Sequence, residues 1–220
     1  MRTVIFDLDG TLADTSGDLL AAANACFAAM GAGALLTPAD AGTALKGGKA
    51  MLKLGLDRMG HPRVIEEAER WYPRLLEAYG SDISTHTRLY PGAVEAVEAL
   101  RAAGYATGIC TNKPEALAET LMQRLGARDL FGSLVGADTL PQRKPDPRPL
   151  FESIRRAGGD LSRAVLVGDT ATDRNTARAA EIPCILVTFG PGDDDIPGLD
   201  PEGLIAHFSE LTDVVARLIG

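Results

Sequence analysis

Short apolar runs alternate along this chain with longer stretches of helical period. "TVIF" (3–6), "ATGIC" (106–110), "AVLVGD" (164–169) and "CILVT" (184–188) are compact and mostly β-branched, the pattern of strands buried on both faces. "SLVGAD" (133–138) is a weaker fifth strand. Between them, "PGAVEAVEALRAAG" (91–104), "KPEALAETLMQRLG" (113–126), "DPRPLFESIRRAG" (146–158) and "TDRNTARAAE" (172–181) predict helices. The first opens on Pro91 and stops at Gly104, the usual punctuation of a helix. "SELTDVVARLIG" reads as a closing amphipathic helix. This alternation predicts an α/β fold, a parallel sheet covered by helices on both faces.

One region breaks the alternation. From about Thr15 to Arg88 the pattern is helical throughout: "SGDLLAAANACFAAMG", "KAMLKLGLDRMG" and "VIEEAERWYPRLLEAYG". Pro73 is expected to kink or break the last of these. The expected organisation is a core of residues 1–14 and 89–220 with a small helical domain, 15–88, inserted after the first strand. Hinges are expected near Asp14–Gly17 and Asp82–Tyr90. "PGDDDIPGLDP" (191–201) reads as a solvated acidic turn.

Composition narrows the function classes. The chain has 220 residues, 22 Lys and Arg against 30 Asp and Glu, and a net charge of −8. Nucleic acid is not the expected partner, because phosphate backbones demand a basic surface. An anionic substrate would need local positive potential from a metal, one lysine or helix N-termini. Cys26, Cys110 and Cys184 lack metal-type spacing and read as buried thiols in a reducing compartment. An acid at position 7 comes too early for a signal peptide, and no run is long enough for a membrane helix. A soluble cytoplasmic protein with no membrane partner is expected, as a monomer or a weak homodimer.

In open parallel sheets, ligands bind at the carboxyl ends of strands. The first strand ends in Asp7-Leu8-Asp9-Gly10-Thr11 and the second in Thr111-Asn112-Lys113. Lys144-Pro145 precedes a helix, and the "AVLVGD" strand ends in Gly168-Asp169, with Asp173 four residues on. Each piece alone is an ordinary turn or helix cap. Together they bring polar groups to one edge of one sheet. Asp7, Asp9 and Asp169 would raise one another's pKa unless a cation sat among them. Oxygen-only ligands point to a hard ion, with Mg²⁺ the natural one. A carboxylate can attack phosphorus, and a second acid can protonate the leaving oxygen and then activate water. Thr111 and backbone N–H groups can hold phosphoryl oxygens, while Lys144 neutralises charge.

"DLDGT" (7–11), "TN" (111–112), "KP" (144–145) and "GDTATD" (168–173) resemble, in order and rough spacing, the four motifs of the haloacid dehalogenase-like hydrolase superfamily. The resemblance spans most of the chain. It implies a Rossmann-like sheet carrying a cap, here the helical insertion. It implies Asp7 as nucleophile and Mg²⁺ ligand, and Asp9 as general acid/base with its backbone carbonyl on the metal. Asp169 becomes the third protein ligand and Asp173 an outer-shell one. Thr111 becomes the phosphate-binding hydroxyl and Lys144 the lysine that orients nucleophile and phosphate. Leu8, Asp9 and Asn112 complete the expected phosphate contacts. The acid at position 9 speaks against a dehalogenase, because releasing halide needs no proton whereas releasing an alkoxide does.

Within the superfamily the chain is similar to phosphoglycolate phosphatases, through "FDLDGTLADTSGDL", "KGGKAML" (46–52), "LYPGAVEAVEAL" (89–100) and "KPDPRPL" (144–150). That implies a small phosphate ester, 2-phosphoglycolate first. Lys46, Gly47, Gly48 and Lys49 are candidate specificity residues, since a glycine pair between lysines can approach an anion closely. The rival readings are a β-phosphoglucomutase-like hexose-phosphate mutase, a phosphonate hydrolase using a cap lysine, and a non-catalytic binding protein on the same fold.

Overall fold

The structure, a computed structural model, describes residues 1–191 and 195–220. Gly192, Asp193 and Asp194, the middle of the predicted acidic turn, lie outside the described residues. In chain order the elements are β1 (Thr3–Phe6), β2 (Ala13–Asp14), α1 (Ser16–Ala29), α2 (Ala41–Leu45), α3 (Gly48–Arg58), α4 (Val64–Ser81) and β3 (Arg88–Leu89). Then follow α5 (Ala93–Ala102), β4 (Ala106–Cys110), α6 (Glu115–Arg124), β5 (Ser133–Val135), α7 (Arg148–Arg156) and β6 (Ala164–Gly168). The chain closes with α8 (Ala171–Ala179), β7 (Cys184–Val187), β8 (Gly203–Ile205) and α9 (Leu211–Ile219).

Six strands form one parallel sheet in the order β5-β4-β1-β6-β7-β8. The fold is a Rossmann-like α/β sheet with a helical insertion after its first strand. The side chains of β1 are buried in both directions, as a central parallel strand requires. Helices α7 and α8 pack on one face, and α5 and α9 lie together on the other. Ile5, Cys110, Leu150, Ile154, Leu166 and Leu186 fuse the first face into one core. A buried serine pair is set into that core. Ser133 Oγ donates to the Ser153 carbonyl at 2.8 Å, and Ser153 Oγ donates to the Ile109 carbonyl at 3.0 Å, so neither hydroxyl is left unsatisfied. Gly108 makes room for them, because a Cβ there would lie 2.2 Å from Ser133 Oγ.

Within the six-stranded sheet, β5 and β8 depart most from the expected strands. β5 stops at Val135, because the next residues turn: the Gly136 N–H donates to Thr139 Oγ1 and the Ala137 N–H to the Lys113 carbonyl. β8 was not expected at all. It is a three-residue edge strand that opens on glycine and exposes Leu204, so it carries no apolar run. Gly203 is there for packing, since a Cβ would come within 2.7 Å of Val214 Cγ1 on α9.

The chain divides into two compact units. Met1–Ala13, Leu89–Gly190 and the segment ending at Gly220 build the sheet, and Asp14–Arg88 build the helical unit. β2 and β3 pair with each other in a separate two-stranded sheet. In the helical unit α1, α3 and α4 pack on one another around Phe27, Leu52, Leu56, Leu75 and Tyr79. Helix α4 runs unbroken through Pro73, so the expected break does not occur. Proline removes one hydrogen bond of the ladder, and the packing of Ala68, Leu75 and Tyr79 on either side holds the helix together. Asp14 ties down the approach to α1: its Oδ1 accepts from the Ser16 N–H and Oγ at 3.0 and 2.6 Å. Asp18, buried, accepts from the N–H groups of His86 and Thr87 and from Thr87 Oγ1, at 2.8, 2.9 and 2.7 Å. That carboxylate fastens the end of the insertion to its beginning. Among the described residues no helix is long and apolar enough to cross a membrane.

Candidate active site

The register of β1 gathers the site. Phe6 lies beside Ile109 on one flank and Val167 on the other, so three strands end level. The Asp7 N–H donates to the Val167 carbonyl at 2.8 Å, which extends the ladder one residue and fixes the Asp7 backbone. Leu8 buries its side chain, and its carbonyl accepts from the N–H groups of Leu12 and Ala13 at 3.0 and 3.1 Å. Gly10, at φ 85°, reverses the chain between them. Asp7 and Asp9 are thereby held on a tight loop at the sheet edge.

Lys144 is the electrostatic centre. Its Nζ lies 2.6 Å from Asp173 Oδ1 and 2.9 Å from Asp7 Oδ1, with its side chain 2% exposed. Asn112, next to Thr111, donates its side-chain amide to the Lys144 carbonyl at 3.1 Å and so anchors the lysine's loop. Asp173 is used on every side: its Oδ2 accepts from the Thr170 N–H and Oγ1 at 3.1 and 2.7 Å and from the Asp169 N–H at 3.3 Å. It thus closes the capping box of α8 while it holds the lysine. Gly168 permits this, because a Cβ there would lie 2.4 Å from Asp173 Cγ. Thr11 Oγ1 donates to Asp169 Oδ1 at 2.8 Å. Thr111 Oγ1 accepts the Lys113 N–H at 3.1 Å, and the hydroxyl keeps its own proton to donate.

Burial pushes the Asp7 carboxyl up to about 6; Lys144 pulls it down, while Asp173 and Asp9 add to the rise. The lysine does not win because the burial of the carboxylate outweighs its attraction. Burial also raises Asp169 well above the usual carboxylate range, reinforced by Asp173 and Asp7 against the Thr11 hydrogen bond. Burial would lower Lys144, yet Asp173 and Asp7 overcome it and keep the ammonium charged. Asp7 Oδ1 is buried, and although Lys144 is close, no hydrogen bond is directed at it.

The Asp7 carboxylate is one of a set. Asp7, Asp169 and Asp173 each offer a carboxylate oxygen, all within 4.8 Å of one another. Three crowded acids, two of them resisting ionisation, and an undirected buried oxygen suit a small hard cation.

One contact is not signalled by the four motifs. Lys113 Nζ donates to Asp9 Oδ1 at 2.7 Å, with the lysine side chain 4% exposed and that of Asp9 16%. Only its place, third after the end of β4, could have signalled it.

The four residues singled out in the helical unit surround the start of α3. Gly47 adopts φ 96°, and Gly48 packs against α4, where a Cβ would lie 2.7 Å from Leu75 Cδ2. Lys49 pairs with Glu69 at 2.6 Å and lies 4.9 Å from the centre of the Tyr72 ring. Gly48 therefore has a packing reason inside this unit, and Lys49 has a neutralising partner there.

Residues 4–187 match the family model of the haloacid dehalogenase-like hydrolases, and the chain belongs to that family. It stands on the phosphatase side of it. A phosphoglycolate phosphatase of Mesorhizobium japonicum is 40% identical over 98% of this chain and 96% of its own length. One from Agrobacterium fabrum is 36% identical over 94% of this chain and 89% of its own. The fold is shared with a crystal structure of a predicted phosphoglycolate phosphatase from Haemophilus somnus, with a TM-score of 0.85, 23% identity and 97% coverage of both chains.

Proposed function

We propose that this chain is a Mg²⁺-dependent phosphomonoesterase that works through an aspartyl-phosphate on Asp7, with 2-phosphoglycolate as its substrate. The observation that carries the reading is Asp7 itself, a buried carboxylate fixed at the end of the central strand, 2.9 Å from a charged lysine and with an oxygen to which no hydrogen bond is directed. In the proposed reaction an Asp7 oxygen attacks phosphorus. The ester P–O bond breaks with its electron pair on the leaving alkoxide, which takes a proton from the Asp9 carboxyl. Water then attacks the phosphorus, its proton passes to Asp9, and phosphate departs, restoring the Asp7 carboxylate. Lys144, Thr111, Asn112 and the backbone of Leu8 and Asp9 hold the phosphoryl oxygens. Asp7, Asp169 and the Asp9 carbonyl would hold the ion, with Asp173 as an outer ligand. The ion supplies positive charge that offsets the carboxylates and the phosphoryl group.

The helical unit, residues 15–88, serves as a cap in this reading, with Lys46, Gly47, Gly48 and Lys49 as the proposed specificity residues. The relatives of 40% and 36% identity favour hydrolysis over mutase chemistry. Against a non-catalytic protein stands the full set of crowded carboxylates, which destabilise a fold that does not use them. The test is phosphate release from 2-phosphoglycolate, β-glucose 1-phosphate and an aryl phosphate, with and without Mg²⁺. Activity that survives chelation or Asp7→Asn overturns the mechanism, and preferred turnover of β-glucose 1-phosphate to its isomer overturns the substrate.

A further inference from the structure

We propose that Lys113 is a positioning residue that sets the orientation of the Asp9 carboxylate for proton transfer. The proposal rests on the acid/base reading of Asp9 and deepens it. Burying an ammonium is costly unless a partner and hydrogen bonds compensate it. Lys113 is nonetheless 4% exposed at its side chain, with Nζ 2.7 Å from Asp9 Oδ1.

The backbone beneath this lysine is fixed at both ends of the residue. Its N–H donates to Thr111 Oγ1 at 3.1 Å, and its carbonyl accepts the Ala137 N–H at 2.9 Å from the segment after β5. The next residue, Pro114, caps α6. The stem of Lys113 therefore starts from a hydrogen-bonded point in the segment that follows β4, the strand adjacent to β1. Asp9 starts from the turn at Gly10 and is two residues from the attacking group. A carboxylate on a short side chain can rotate about two bonds, and a directed ion pair with a fixed partner selects one orientation. Lys144 and Lys113 thus divide the work: one faces Asp7 and Asp173, the other faces Asp9.

The ion pair can be separated from a merely structural one by the leaving group. An alkoxide needs a proton as it departs, whereas a nitrophenolate is stable enough to leave without one. The value of kcat/KM reports the steps through phosphoryl transfer to Asp7, whereas kcat also contains the later attack of water, in which Asp9 accepts a proton. Measure both for Lys113→Met, with Lys113→Gln as a second variant should the first not fold. With 2-phosphoglycolate, kcat/KM is expected to fall about 100-fold. With p-nitrophenyl phosphate it should hold within about fivefold while kcat falls, and Lys113→Arg should restore part of the loss. Equal losses of kcat/KM on the two substrates overturn the proposal. Asp9→Asn, run beside it, separates the two failures. If Asp9→Asn discriminates between the substrates and the Lys113 variants do not, the positioning role alone is wrong. If Asp9→Asn does not discriminate either, the acid/base reading falls and the positioning role with it.

Discussion

Lys144 Nζ bridges Asp173 Oδ1 at 2.6 Å and Asp7 Oδ1 at 2.9 Å, both inside the protein. One ammonium therefore serves two carboxylates that would otherwise face each other uncompensated. Lys144→Met should destabilise the protein by about 3–5 kcal/mol, the usual effect of stranding buried charge. Urea unfolding at pH 7.5 measures this, and phosphate release should be lost in the same variant.

The reverse holds for Asp7. Because burial opposes its ionisation, Asp7→Asn should abolish turnover yet raise the stability of the ion-free protein at pH 7.5. Thermal unfolding in the presence of a chelator checks it. A lower midpoint than the parent would show that the pair with Lys144 outweighs the burial of the carboxylate.

The same shift sets a pH dependence. Asp7 moves from an ordinary 3.8 to about 6 on folding, so between those values the folded protein holds more protons than the unfolded chain. Its stability contribution is full below about pH 4 and declines as pH rises through 6, on the order of 3 kcal/mol in all. Asp169 moves in the same direction. Mg²⁺ binding should reverse the loss: 5 mM Mg²⁺, roughly saturating, is expected to raise the midpoint by several degrees at pH 7.5 and by little at pH 5. Calorimetric scans at the two pH values, with and without the ion, are the measurement.

Thr11 steers Asp169 through a hydrogen bond of 2.8 Å. Thr11→Val keeps the shape and removes the donor. The Mg²⁺ concentration for half-maximal activity should rise about 10-fold, as it does when a ligand loses its outer partner. The maximal rate at saturating ion should change much less, and a titration of activity against Mg²⁺ separates the two.

In the helical unit, Asp18 accepts three hydrogen bonds while buried. Asp18→Ala leaves those donors unsatisfied and should lower stability by about 2–3 kcal/mol. Amide exchange should quicken around His86 and Thr87 first.

Much of this structure could be read from the chain because it is built from apolar runs that end in polar residues. The runs at 3–6, 106–110, 164–168 and 184–187 pack on both faces, so their signal is strong. Asp7, Thr111 and Asp169 each follow such a run, which makes their common edge readable. β8 escaped because an edge strand of three residues beginning with glycine needs no apolar pattern. Pro73 does not end α4 because tertiary packing on two neighbours overrides a local breaker. Lys113 escaped for a different reason: a lysine beside a helix start reads as solvated, and only the register of β1 against β4 turns it toward Asp9. Asp173 was visible as an acid four residues after Asp169, but its use as a helix cap and lysine anchor depends on a glycine at 168.

The strand at the middle of the sheet is the first one synthesised, and both of its neighbours come far later. Asp9 meets Lys113 across 104 residues of chain, and Thr11 meets Asp169 across 158. On the ribosome, the two N-terminal acids emerge well before any cation of the protein that will face them, and the helical unit is made in the interval. Asp7 and Asp9 then lie on an unpaired, solvated segment, where their mutual repulsion is weak. The crowding of Asp7 with Asp169 and Asp173 arises only when β6, the fourth strand of the sheet in chain order, slots in beside β1, with β7 and β8 still to come.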